Sequence, residues 1–177
     1  ARAPACLSLT KDNNLSEVMN KVCATLLTRN LINTPSQDMA PSHLEAEAHA
    51  LAERFGAQLE VTVGDELLDR ECGAIHAVGR AAADPPRLMD LTWGDASHPK
   101  ITIIGKGVTF DSGGLNIKPG ASMRQMKKDM GGAAIAMGLG YLIMAQGLPV
   151  RLRILLPAAE NAIAGNAFRP GDILHTH

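Results

Sequence analysis

Between Ile101 and Gly132 the chain reads ITIIGKGVTFDSGGLNIKPGASMRQMKKDMGG, and four charged residues in it could do chemistry: Lys106, Asp111, Lys118 and Asp129. Hard divalent ions prefer carboxylate oxygen, so Asp111 and Asp129 are candidate metal ligands, and one carboxylate can bridge two ions. Each also has a plainer explanation. Asp111, ahead of Ser112-Gly113-Gly114, could close an Asx-turn. Asp129 stands where a helix N-cap belongs. Lys106 ends an apolar β-branched run that reads as a buried strand, where an ammonium must be paired or lose its proton. A neutral amine could ligate a metal or act as a base; the alternative is a salt bridge to Asp111 or Asp129. Lys118 lies on a loop before Pro119-Gly120. It is either a solvated surface lysine or a fixed positive charge that polarises a substrate carbonyl.

The elements that must position these residues follow from periodicity. Leu15, Val18, Met19, Val22 and Leu26 recur at helical spacing, which predicts a helix from about Leu15 to Arg29. Asn33-Thr34-Pro35 ends it. Ser42 with Glu45 fits a capping box for a second helix that runs to Phe55, with Gly56 as its C-terminal cap. Gln58 to Val63 alternates like a strand, and a short helix follows Gly64-Asp65. Ala74 to Val78 reads as a strand, Ala81 to Pro86 as a loop, Arg87 to Trp93 as a strand and Gly94 to Pro99 as a turn. Lys100 to Ile104 is apolar enough to be expected at the centre of the sheet. Asp129 to Gln146 predicts a helix whose glycines and alanines allow close approach to a neighbouring backbone. Val150 to Leu156 predicts a further strand, and Asn161 to Asp172 a loop. Strands alternating with helices predict an α/β fold: a three-layer sandwich with a central mixed, mostly parallel sheet flanked by helices.

Composition excludes several classes. The 177 residues suffice for one domain with a real core. A formal net charge of -1 gives no electrostatic pull toward nucleic acid or an anionic membrane. Aromatics are 3%, too few for a base-stacking platform. The longest apolar segment, Gly131 to Ala145, is too short and too rich in glycine for a membrane span. Cys6, Cys23 and Cys72 lie far apart, which fits reduced thiols in a cytoplasmic protein better than a disulfide framework. No signal peptide is expected at the N-terminus.

Competing motifs fail. Gly105-Lys106-Gly107 lacks the spacing of a phosphate-binding loop, and no HExxH exists. Phe110-Asp111-Ser112-Gly113-Gly114 shares Asp-Ser-Gly-Gly with trypsin-like serine proteases, but those are all-β and rich in disulfides. Ser112 as a nucleophile would need a histidine partner that the sequence does not indicate. The six histidines are scattered.

Taken together, Gly105-Lys106-Gly107-Val108-Thr109-Phe110-Asp111-Ser112-Gly113-Gly114, Ile117-Lys118 and Lys128-Asp129-Met130-Gly131-Gly132-Ala133-Ala134 closely resemble the leucyl (cytosol) aminopeptidase family. Asn33-Thr34-Pro35 with Met39-Ala40-Pro41, Ala77-Val78-Gly79, Pro85-Pro86-Arg87-Leu88, Glu160-Asn161 and Arg169-Pro170-Gly171-Asp172 extend the resemblance over nearly the whole chain from about residue 15. It implies a two-metal exopeptidase that removes leucine-like N-terminal residues from peptides with a free N-terminus. By the family pattern Lys106 is a neutral ligand, Asp111 bridges two divalent ions (Mn²⁺ or Zn²⁺) and Asp129 completes one site. Lys118 is the electrophile beside the scissile carbonyl, and Met126 lines the pocket for the leaving side chain. Two ions about 3.5–4 Å apart can acidify a bridging water and clamp a tetrahedral intermediate. The resemblance also implies a cytoplasmic hexamer.

The family needs a second motif, Asn-Thr-Asp-Ala-Glu-Gly-Arg, which supplies two more carboxylates and an arginine that holds bicarbonate. It does not occur before His177, and Gly171 to Leu174 reads as the start of a strand that should continue. The expectation is therefore that residues 1–177 form the first half of a catalytic domain, without the family's smaller N-terminal domain or its C-terminal half, and that alone they are inactive or weakly active. A non-catalytic scaffold of the same family is the alternative, and a serine hydrolase using Ser112 a third.

Overall fold

The computed structural model describes residues 14–173. Asn14 caps the first helix, α1 (Leu15–Asn33), by accepting the Glu17 N–H. It runs past Arg29 and stops at Thr34, which is extended, as a residue before proline must be. After a 3₁₀ turn (Ser36–Asp38), α2 (Pro41–Phe55) begins with its proline at the first helical position and ends at left-handed Gly56. The Ser42/Glu45 capping box is not formed. The Ser42 N–H goes to Asp84 Oδ2 at 2.8 Å, Glu45 pairs with Arg87, and the His43 ring accepts the Ala40 N–H at 3.1 Å.

The remaining elements are β1 (Gln58–Val63), α3 (Glu66–Asp69), α4 (Gly73–Gly79), β2 (Arg87–Trp93), β3 (Lys100–Ile104), β4 (Gly107–Asp111), α5 (Gly120–Met123), a 3₁₀ turn (Met126–Met130), α6 (Gly131–Ala145) and β5 (Arg151–Asn161). Ala74 to Val78 is therefore helix, not strand. Backbone bonds from Ile75 and His76 to the Cys72 carbonyl close its first turn. Five residues, four of them apolar, carry too little periodicity to separate the two states.

The sheet runs β1-β2-β5-β3, with β4 also on β5. β1–β2 and β2–β5 are antiparallel, while β3–β5 and β4–β5 are parallel, so the expected mixed sheet divides evenly. β3 is not central; Ile104 is 69% exposed. The central strand is β5, and β3 and β4 line up end to end along one of its edges.

One sheet face packs Met89, Leu91, Leu152, Ile154 and Leu156 against α2 and α6, and α1 lies on α6. The expected close approach of the glycine- and alanine-rich helix is seen where Thr28 Oγ1 of α1 donates to the Ala134 carbonyl of α6 at 3.2 Å. α4 covers the other face near Ala159, and Asp90 and Arg153 pair on the same face farther along β5. Helices thus flank both faces. The apolar stripe of α1 points away from the core: Leu15, Val18, Met19, Val22 and Leu26 are all exposed, while Ala24 and Leu31 are buried. Cys23 and Cys72 are free, half-buried thiols, and Cys6 lies outside the described residues. No described helix is long and apolar enough to cross a membrane.

Candidate metal and catalytic site

The site begins at the break between β3 and β4, and the break has a cause in β5. The Leu155 carbonyl accepts the Gly105 N–H at 2.9 Å, so alternate residues of β5 from Leu155 aim their backbone groups at β3–β4. The next of these is Pro157, which has no N–H to give. Opposite it the ladder skips Gly105 and Lys106, and resumes where Gly107 meets Ala158. The Lys106 carbonyl, on the side away from β5, accepts the Ala133 N–H of α6 at 2.8 Å. A Cβ on Gly105 would sit 2.6 Å from the Gly132 carbonyl oxygen and 2.7 Å from Ala133 Cα, so only glycine lets the strand lie against the start of α6.

Lys106 leaves this break with its side chain 59% exposed, and its Nζ donates to Asp129 Oδ2 at 2.7 Å. The reading that burial would force it neutral is thus not met. The salt-bridge reading is. Asp129 lies inside the 3₁₀ turn and caps nothing, because α6 starts two residues beyond it with Met130 at the cap position. Met126 opens the same turn, half-buried; residues three apart in a 3₁₀ turn eclipse, which puts Met126 and Asp129 on one side.

Asp111 is the last residue of β4. Its Oδ1 accepts the Gly113 N–H at 2.9 Å, so the Asx-turn is real, and also takes Asn161 Nδ2 at 2.8 Å. Its Oδ2 faces Lys118 Nζ at 2.9 Å. Partial burial pushes the Asp111 carboxyl pKa up, but the Lys118, Gly113 and Asn161 hydrogen bonds together hold it below the ordinary value. Lys118 is not a free surface lysine. Its hydrogen bond to Asp111 raises its pKa against the pull of desolvation, and the charge of Asp129 adds to the rise. All four residues named at the outset therefore converge as two lysine–carboxylate pairs.

Ser112 Oγ donates to the Asn161 carbonyl at 2.6 Å, and no described histidine is hydrogen-bonded to it, which removes the charge-relay arrangement a serine nucleophile needs. Asn161 was the residue least visible as part of the site. Its place comes from the pairing of Asp111 with Asn161 between strands fifty residues apart in sequence. Arg169 bridges Glu160 and Asp172 on the loop beyond, with Asp172 also accepting the Gln37 N–H.

Two carboxylates and a lysine amine are donors that suit part of a divalent ion's shell. Among the described residues no group of three or more His, Cys, Asp or Glu side chains comes together to hold a metal.

Fold and cluster together define an α/β protein with a charged site at the C-terminal ends of its parallel strands, the edge where open α/β sheets place their ligands. The chain belongs to the cytosol aminopeptidase family: the model of that family's catalytic domain matches residues 26–177. It is 39% identical over 170 residues to Peptidase B of Cronobacter sakazakii, covering 92% of this chain and 40% of that protein. Among solved structures it resembles the cytosol aminopeptidase of Coxiella burnetii (52% identity, TM-score 0.82, 89% of this chain and 34% of that one). It also resembles the bottromycin maturation enzyme BotP in complex with Mn (39% identity, TM-score 0.79, the same shares). The chain thus spans well under half the length of these relatives.

Proposed function

We propose that this chain supplies one side of a two-metal aminopeptidase centre that removes leucine-like residues from peptides with a free N-terminus. The observation that carries the reading is the convergence of Lys106–Asp129 and Lys118–Asp111 at one end of the parallel strands. Lys106, Asp111 and Asp129 would hold divalent ions, with Asp111 shared between them. When bound, two such ions would supply Lewis acidity and lower the pKa of a water at neutral pH. The likeness to an Mn-bound relative supports manganese, with zinc as the other candidate.

Lys118 is the part of the chemistry this chain performs itself. Its raised pKa keeps it an ammonium, and it is already fixed beside Asp111 before any substrate arrives. A preorganised cation of this kind polarises a carbonyl and steadies the developing oxyanion without reorganising. Lys106 must lose its proton to become a ligand, so metal competes with the Lys106–Asp129 ion pair. Met126 lines the pocket for the departing side chain. A further Asp, a further Glu and an arginine-held bicarbonate belong to the second family motif, which this sequence does not contain. We therefore read residues 1–177 as part of a catalytic domain, weakly active at best alone, within a cytoplasmic, hexameric enzyme.

Calorimetric titration with Mn²⁺ and with Zn²⁺ tests this. The chain should bind at least one of them, and Asp111→Asn and Asp129→Asn should each weaken binding by about tenfold or more. Binding of neither ion, or binding indifferent to both substitutions, would move the non-catalytic scaffold to the front.

A further inference from the structure

Asp111 has two oxygens in different situations, and Asn161 is the reason. Asn161 ends β5 directly across from Asp111. Its carbonyl takes the Ser112 N–H at 3.1 Å and the Ser112 hydroxyl at 2.6 Å, so its backbone is fixed. Its side-chain oxygen lies over Gly114, where a Cβ would approach it to 2.7 Å and where φ is +62°. The side-chain amide is thereby turned with Nδ2 toward Asp111 Oδ1 at 2.8 Å. Only this orientation is chemically sensible, since a carboxylate accepts and cannot donate. With the Gly113 N–H, Oδ1 has two donors from the chain itself, and Oδ2 is the oxygen turned to the Lys118 ammonium.

We infer that Asn161 is a positioning residue: it ties down Oδ1 of Asp111 so that Oδ2 is presented to a bound divalent cation. The inference rests on the reading of Asp111 as a metal ligand. Outer hydrogen bonds of this kind orient ligating carboxylates, and their loss commonly costs 10- to 100-fold in metal affinity.

The test is Mn²⁺ titration calorimetry on the full chain, comparing wild type, Asn161→Ala and Ser112→Ala, with metal-free melting curves of each. Ser112→Ala loosens the same loop but leaves the amide donor in place. Asn161→Ala should bind Mn²⁺ at least about tenfold more weakly, and Ser112→Ala within about twofold of wild type. Equal binding by Asn161→Ala and wild type overturns the positioning role and leaves the metal reading standing. An equal loss in Ser112→Ala also overturns it, because loop integrity would then be the cause. Failure of wild type to bind Mn²⁺ overturns the ligand reading and this inference with it. Should Asn161→Ala not fold, ¹⁵N-resolved exchange of the Asn161 side-chain protons in wild type decides. One slowly exchanging proton that is lost in Asp111→Ala supports the bond, and two fast, solvent-like protons overturn the inference.

Discussion

Lys106 and Lys118 are chemically identical and are put to different use by what surrounds them. Lys118, held by Asp111, keeps its proton; Lys106 stands in the open against Asp129. On the function proposed above, Lys118→Ala should lower peptide hydrolysis by the full-length protein about 100-fold, the usual cost of one oxyanion-stabilising group. It should leave Mn²⁺ affinity unchanged or tighter, because a competing cation has left Oδ2. Steady-state kinetics beside calorimetry separates the two effects. Acid should act here as well. The folded-state pKa of Asp111 is depressed, so its contribution to stability is present above the unfolded value and fades as pH falls through the folded one. Melting of Asp111→Asn should accordingly depend less on pH in the acid range than melting of wild type. The four charged residues were legible because the motif fixes their types and spacing. Asn161 was not, because its role depends on a strand register that no local pattern encodes.

At the scale of elements, the break between β3 and β4 makes the site possible, and its trace in the sequence is double: Gly105 on one strand and Pro157 on the other. Gly105→Ala drives a methyl group into the Gly132 carbonyl and should cost about 1–3 kcal/mol, read from denaturant unfolding. Arg169→Ala leaves Glu160 and Asp172 buried without their cation. Losing one partner of such a network costs roughly 3–5 kcal/mol, and the same unfolding curves would show it. Most helices and strands could be read from periodicity. The failures were of two kinds. Ala74 to Val78 was too short to show its period, and the apolar run of β3 suggested a centre that belongs to β5, whose alternation of Arg151 and Arg153 with Leu152 and Ile154 hid its importance.

For the whole molecule, periodicity identified α1 as a helix but not the side its apolar stripe would face. The residues that announced the helix face outward, because the contact with α6 is made by small residues instead. An exposed apolar stripe of this length is a contact surface or an aggregation liability. Val22→Glu with Leu26→Lys should reduce self-association of this chain in light scattering. The melting temperature should hardly move, since neither side chain is in the core. The fold class was legible from the order of elements, and the orientation of this helix was not, because hydrophobic pattern alone does not say which neighbour a face will meet.

The place of β5 in the sheet also bears on how the chain is made. It is the last described strand in sequence, yet it joins β2, β3 and β4. Until Arg151 to Asn161 have been synthesised, β1 and β2 can form at most a pair, and β3 and β4 have no strand to lie against. Assembly thus waits on long-range closure, which slows folding and keeps apolar segments exposed to chaperones and to misassociation in the nascent chain. Asn161 is the final residue of that strand, so the Asp111 carboxylate acquires its fixed orientation only when the sheet itself is completed.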